Sequence, residues 1–104
     1  MEKEIWGLPE IKNLEEAGLG EDEQAIYDLG IKFVEEGKFN EAIECFEKLK
    51  EICEERREYE LAARTCEKIG DCYSRLGRED KRIEYYKFAE EFYKGIKKIY
   101  THEK

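Results

Sequence analysis

Proline, histidine and serine are almost missing from this chain of 104 residues: Pro9, His102 and Ser74 are the only ones. Without proline beyond position 9, nothing of that kind breaks a helix from within. The lone serine and the lone histidine, the latter in the terminal stretch "THEK", form no recognisable nucleophile–base pair, so no catalytic residues are expected. No Cys-x-x-Cys pair occurs among Cys45, Cys53, Cys66 and Cys72. The zinc signature is therefore lacking, and neither metal nor cofactor is expected. No apolar run approaches the roughly 20 residues needed to cross a bilayer, and "MEKEIWGLPE" lacks the basic, apolar, small-residue order of a secretory leader. Excess positive charge is absent too. At a net charge of −8 the chain has no basic face for a phosphate backbone, so nucleic acid is excluded as a partner. These absences describe a cytoplasmic protein without membrane contact. Side-chain amides are confined to Asn13, Gln24 and Asn40 while Glu and Lys abound, a composition that points to a thermophile.

What is present is helix-forming: Glu, Lys, Leu, Ala, Arg and Ile dominate, and 44% of residues carry charge of both signs. Ahead of and within "YDLGIKFVEEGKFNEAIECFEKL", Tyr27 to Leu49, the apolar positions of Glu23 to Glu36, namely Ala25, Ile26, Leu29, Phe33 and Val34, fall on one face of a helix. Gly30 lies within that face, at a cost of about 1 kcal/mol relative to alanine. Close approach of another backbone is the expected reason. Gly37 ends the helix as a left-handed cap. Asn40 is expected to cap the next, whose inward side begins with Ala42, Ile43 and Phe46. A turn this short makes the two helices antiparallel.

The same pattern recurs in "EKIGDCYSRLGREDKRIEYYKFAEEF", Glu67 to Phe92. Ile69-Gly70 repeats Leu29-Gly30, Tyr73 repeats Phe33, Gly77 repeats Gly37, and Tyr86 repeats Phe46, each 40 residues on. Self-similarity at a fixed period is the mark of a repeat architecture. The spacing of Leu/Ile-Gly, aromatic, turn glycine and "EAIECF" or "RIEYY" resembles the tetratricopeptide repeat. The period exceeds the usual value of about 34 residues and is similar to the longer-helix variant of kinesin light chains. Arg82 departs from the pattern, standing where the first repeat has Ala42, and suggests looser packing of the second pair.

The resemblance implies an all-α fold: antiparallel hairpins stacked as a short right-handed α-solenoid, with helices near 23–36, 40–57, 60–76 and 80–100. Residues 1–22 form an N-terminal cap, 23–58 and 59–93 the two motifs, and 94–104 a C-terminal extension, all in one domain. The cap holds Ile5, Trp6, Leu8, Ile11 and Leu14, with a short helix expected at 9–17 behind Pro9.

Function follows as an expectation of the same resemblance: a non-catalytic module that binds a peptide or helix of another protein. Its groove would be lined by Gln24, Tyr27, Ile31, Val34 and Glu35 of the first helix and by Arg64, Glu67, Asp71, Ser74 and Arg75 of the third. The family's carboxylate clamp is absent, because Tyr27 and Ile31 replace its lysine and asparagine. The apolar half of the groove is alternatively covered by the chain's own N-terminus, through Trp6, or by a second copy. A second surface, Phe88, Phe92, Tyr93, Ile96, Ile99 and Tyr100, offers either a route to a homodimer or a further face for a partner protein. The four cysteines fall at two levels of the second hairpin, Cys45 near Cys72 and Cys53 near Cys66, and are expected to be reduced core residues.

Overall fold

In the computed structural model, Gly18 and residues 20–102 are described, with side-chain surroundings up to Ile96. Four helices follow one another: α1 (Glu23–Glu35), α2 (Phe39–Arg56), α3 (Tyr59–Arg75) and α4 (Glu79–His102). No strand occurs among the described residues. The expected N-terminal cap helix and its apolar residues, Trp6 included, lie outside them.

The three turns are built alike. Each of α1, α2 and α3 ends in a wrapped turn, with Lys38 N–H donating to the Phe33 carbonyl at 2.8 Å, Glu58 N–H to Cys53 at 2.9 Å, and Arg78 N–H to Tyr73 at 2.8 Å. Such a turn needs one left-handed residue just past the helix. Gly37 (φ 76°) and Gly77 (φ 75°) fill that place in the outer two turns, but the middle one uses Arg57 at φ 60°. Because the wrap fixes where the chain leaves, α2 starts at Phe39 with Lys38 at the cap position and no side-chain cap bond. The expectation of Asn40 as that cap is therefore corrected: Asn40 lies exposed inside the first turn. A side-chain cap does occur at α1, where Asp22 Oδ1 accepts the Ala25 N–H at 3.1 Å.

Helices adjacent in sequence pack against one another, in the order α1–α2, α2–α3, α3–α4. The main core joins Ile26 and Phe33 of α1, Ala42, Ile43, Phe46, Leu49, Ile52 and Cys53 of α2, and Ala62, Ile69 and Cys72 of α3. A smaller cluster, Ala63, Cys66 and Ala89 with Tyr85 and Phe92 at its edge, holds α4 on the other side of α3. Small side chains on two faces let α3 lie between neighbours. Thr65, fully buried there, satisfies its hydroxyl by donating to the Leu61 carbonyl at 2.7 Å.

Gly30 and Gly70 do mark close approaches, chiefly of rings, although at Gly70 the Arg82 carbonyl oxygen would also lie 3.4 Å from an added Cβ. A Cβ on Gly30 would lie 2.6 Å from Phe46 Cε1, and one on Gly70 would lie 2.6 Å from Tyr86 Cε1. The two approaches are equally close, and the rings differ in exposure instead. Phe46 is wholly buried, whereas Tyr86 is half-buried with the Arg82 guanidinium 5.3 Å from its ring centre.

Candidate functional site

The first helices of the two hairpins, α1 and α3, border a recess of about 370 Å³. Ile31 and Val34, three apart on α1, supply its apolar wall, and Asp71, Ser74 and Arg75 supply the polar wall from one face of α3. Phe39, Lys68 and Cys72 complete it, and the Arg75 guanidinium rests 5.0 Å from the Phe39 ring centre. That stacking holds a flexible cation in place without neutralising it. Five of the residues expected in the groove thus meet here.

The others do not. Tyr27 turns toward the core, half-buried, its ring 5.8 Å from Phe46 at 60°. Gln24 is exposed and donates to Asp28 at 2.9 Å, and Glu35 is exposed. Arg64 borders a different recess of about 500 Å³ with Arg57, Tyr59, Leu61 and Ile96. Glu67 lines a third, of about 440 Å³, between α3 and α4, where Asp71 also reaches and accepts a hydrogen bond from the Tyr86 hydroxyl. Sequence reasoning missed Phe39 and Lys68. Position 79, which corresponds to Phe39 in the second repeat, is a glutamate, so nothing in the repeat pattern singles Phe39 out.

The C-terminal aromatic strip is divided. Phe92 is half-buried and stacks on Tyr59, centroids 6.1 Å apart. Phe88 meets Tyr85 edge-on at 5.3 Å, with the Lys50 ammonium 5.3 Å from its ring. Tyr93 is 40% exposed. The side chains of Ile99 and Tyr100 lie outside the described residues.

All four cysteines are buried and unbridged. Burial pushes the thiols of Cys45, Cys53 and Cys66 up to about 12, and that of Cys72 up to about 11. At neutral pH they are protonated and poor nucleophiles or ligands. Cys53 comes within 4.8 Å of carboxylate oxygens of Glu23 and Glu58, three donors in reach of one ion. Arg56 already supplies a cation there, its Nη1 3.3 Å from Glu23 Oε2. Beside Glu23, the Glu58 carboxyl is raised, chiefly by a hydrogen bond the two share.

Two glycine-punctuated helical hairpins, α1–α2 and α3–α4, stacked through α2 and α3, define a helical-repeat protein of the α-solenoid class. A family model described as tetratricopeptide repeat matches residues 23–56 and 63–94. The chain belongs to that family, whose members commonly mediate protein–protein interaction. No curated protein and no solved structure matches the chain.

Proposed function

We propose that the chain is a non-catalytic adaptor whose α1–α3 recess takes a short segment of another protein. The observation that carries this reading is the pairing of an apolar wall, Ile31 and Val34, with a ring-held cation, Arg75 on Phe39. An apolar side chain flanked by an acidic one fits that arrangement: the first fills the wall, and the second pairs with the guanidinium that the ring already orients. The groove-facing residues are then Ile31, Val34, Asp71 and Arg75, while Tyr27 braces the wall from behind and Arg64 and Glu67 lie beyond it. Protonated, buried thiols fit a reducing compartment such as the cytoplasm. The units proposed are a cap before residue 23, motifs at 23–58 and 59–93, and an extension after them.

Selection from a displayed peptide library tests this. Selected peptides should lose at least about tenfold in affinity, or 1.4 kcal/mol, on Arg75→Ala or Val34→Asp. Glu44→Gln, on the exposed side of α2, should leave them unchanged. Peptides indifferent to both recess variants would overturn the reading.

A second reading, self-association through α4, is favoured by one observation. Ile83 is 43% exposed whereas its counterpart Ile43 is 6% exposed.

A further inference from the structure

The two repeats differ most where each would receive the next helix. In the first, the equivalent positions are Tyr27, Ile31, Phe46, Leu49 and Cys53: Phe46, Leu49 and Cys53 are fully buried where α3 packs on α2, and Ile31 is left at the edge, in the α1–α3 recess. Forty residues on, Glu67, Asp71, Tyr86, Ala89 and Tyr93 line the 440 Å³ recess together with Glu90. Among the described residues no helix covers it. Its chemistry has changed as well: Tyr27 becomes Glu67, Ile31 becomes Asp71 and Lys50 becomes Glu90. Three carboxylates around two tyrosine rings and an alanine floor suit a helix that carries cations rather than another apolar one.

Such a helix exists in the chain. From Tyr93 to His102, α4 has Lys94, Lys97 and Lys98 and no acidic residue, interleaved with Ile96, Ile99 and Tyr100. Its earlier stretch, Glu79 to Glu91, holds Glu79, Asp80, Glu84, Glu90 and Glu91 against Lys81, Arg82 and Lys87. Two copies of α4 related by a two-fold axis run antiparallel, which sets the basic end of each beside the acidic stretch of the other. That is also the relative direction of α3 on α2. The first helix of a second copy is the poorer fit. Where α3 has Ala62, buried in the core, and Lys68, α1 has Asp22 and Asp28, which are poorly matched to a recess of carboxylates.

Resting on the self-association reading, we propose a two-fold dimer in which the lysine-bearing turns of α4 seat in the partner's recess between α3 and α4. Burial of Ile83, Tyr86 and Tyr93 supplies the attraction, and the lysine–carboxylate contacts fix register and direction.

Sedimentation equilibrium on the full chain is the test, with circular dichroism confirming that each variant remains helical. The wild type should be a reversible dimer at micromolar concentration, weakening as salt screens the rim. Glu67→Lys with Glu90→Lys should weaken it at least tenfold, and so should Lys94→Glu with Lys97→Glu. An equimolar mixture of the two double variants should restore the dimer, since both seats are then complementary. A monomeric wild type would overturn this inference and the self-association reading together. A dimer indifferent to both double variants, or a mixture that stays monomeric, would overturn the inference alone.

Discussion

Gly30 lies under the edge of the Phe46 ring, so close that a methyl group on its Cα would sit 2.6 Å from Cε1. This contact fixes the spacing of α1 and α2, and it recurs as Gly70 under Tyr86. Its energetic weight should follow how freely each ring can yield. Phe46 is wholly buried, so Gly30→Ala forces displacement and should cost about 1–3 kcal/mol. Tyr86 is half-buried, so Gly70→Ala should cost less. Gly95, inside α4, has nothing within 4 Å of a built Cβ, and Gly95→Ala should stabilise by about 0.5–1 kcal/mol. Urea unfolding of the three variants checks the order.

Arg57 occupies a left-handed position that costs a residue with a Cβ about 1 kcal/mol. Arg57→Gly should raise stability by roughly that amount, while Gly77→Ala, at φ 75°, should lower it similarly. The same unfolding assay reads both.

Tyr85 ties the second repeat to the first, its hydroxyl donating to Glu47 Oε2 at 2.8 Å across to α2. Burial and that carboxylate both push the phenol's titration upward. Tyr85→Phe should cost about 1–2 kcal/mol, as expected for a partly buried bond to a charged acceptor.

The thiols give a signed pH dependence. Below about pH 9 they are protonated in the folded and unfolded chain alike, and contribute nothing to the difference. Above that, unfolded thiols ionise while Cys45, Cys53 and Cys66, held up to about 12, do not. Stability should therefore fall between about pH 9 and pH 12, with each thiol adding a slope of about 1.4 kcal/mol per pH unit. Cys45→Ala should soften the fall. In native protein a thiol reagent should react slowly, and with all four groups only on unfolding.

Much of the fold was legible because the repeat expresses itself in residues with few substitutes: a glycine under a ring, and a left-handed glycine after a helix. Where a position departs from that rule, the sequence misleads. Arg57 does the work of a turn glycine without resembling one. Asn40 looks like a cap, yet the wrapped turn from Phe33 to Lys38 starts α2 before it. The groove was half legible. Ile31, Val34, Asp71, Ser74 and Arg75 share a recess, but Arg64 and Glu67 sit nearer the start of α3, beside Ile96 and Tyr93 instead. Separating them requires the rotation of α3 against both neighbours, which packing sets and periodicity does not. Phe39 is invisible to any repeat argument because it belongs to one motif only.

The adaptor reading turns on one surface, and amide chemical-shift mapping addresses it directly. When the isotope-labelled chain is titrated with the tightest library-selected peptide, the shifts should concentrate at Ile31, Val34, Phe39, Lys68, Asp71, Ser74 and Arg75. Shifts confined to the outer side of α2, at Glu44, Glu51 and Glu55, or to α4 alone, would contradict it.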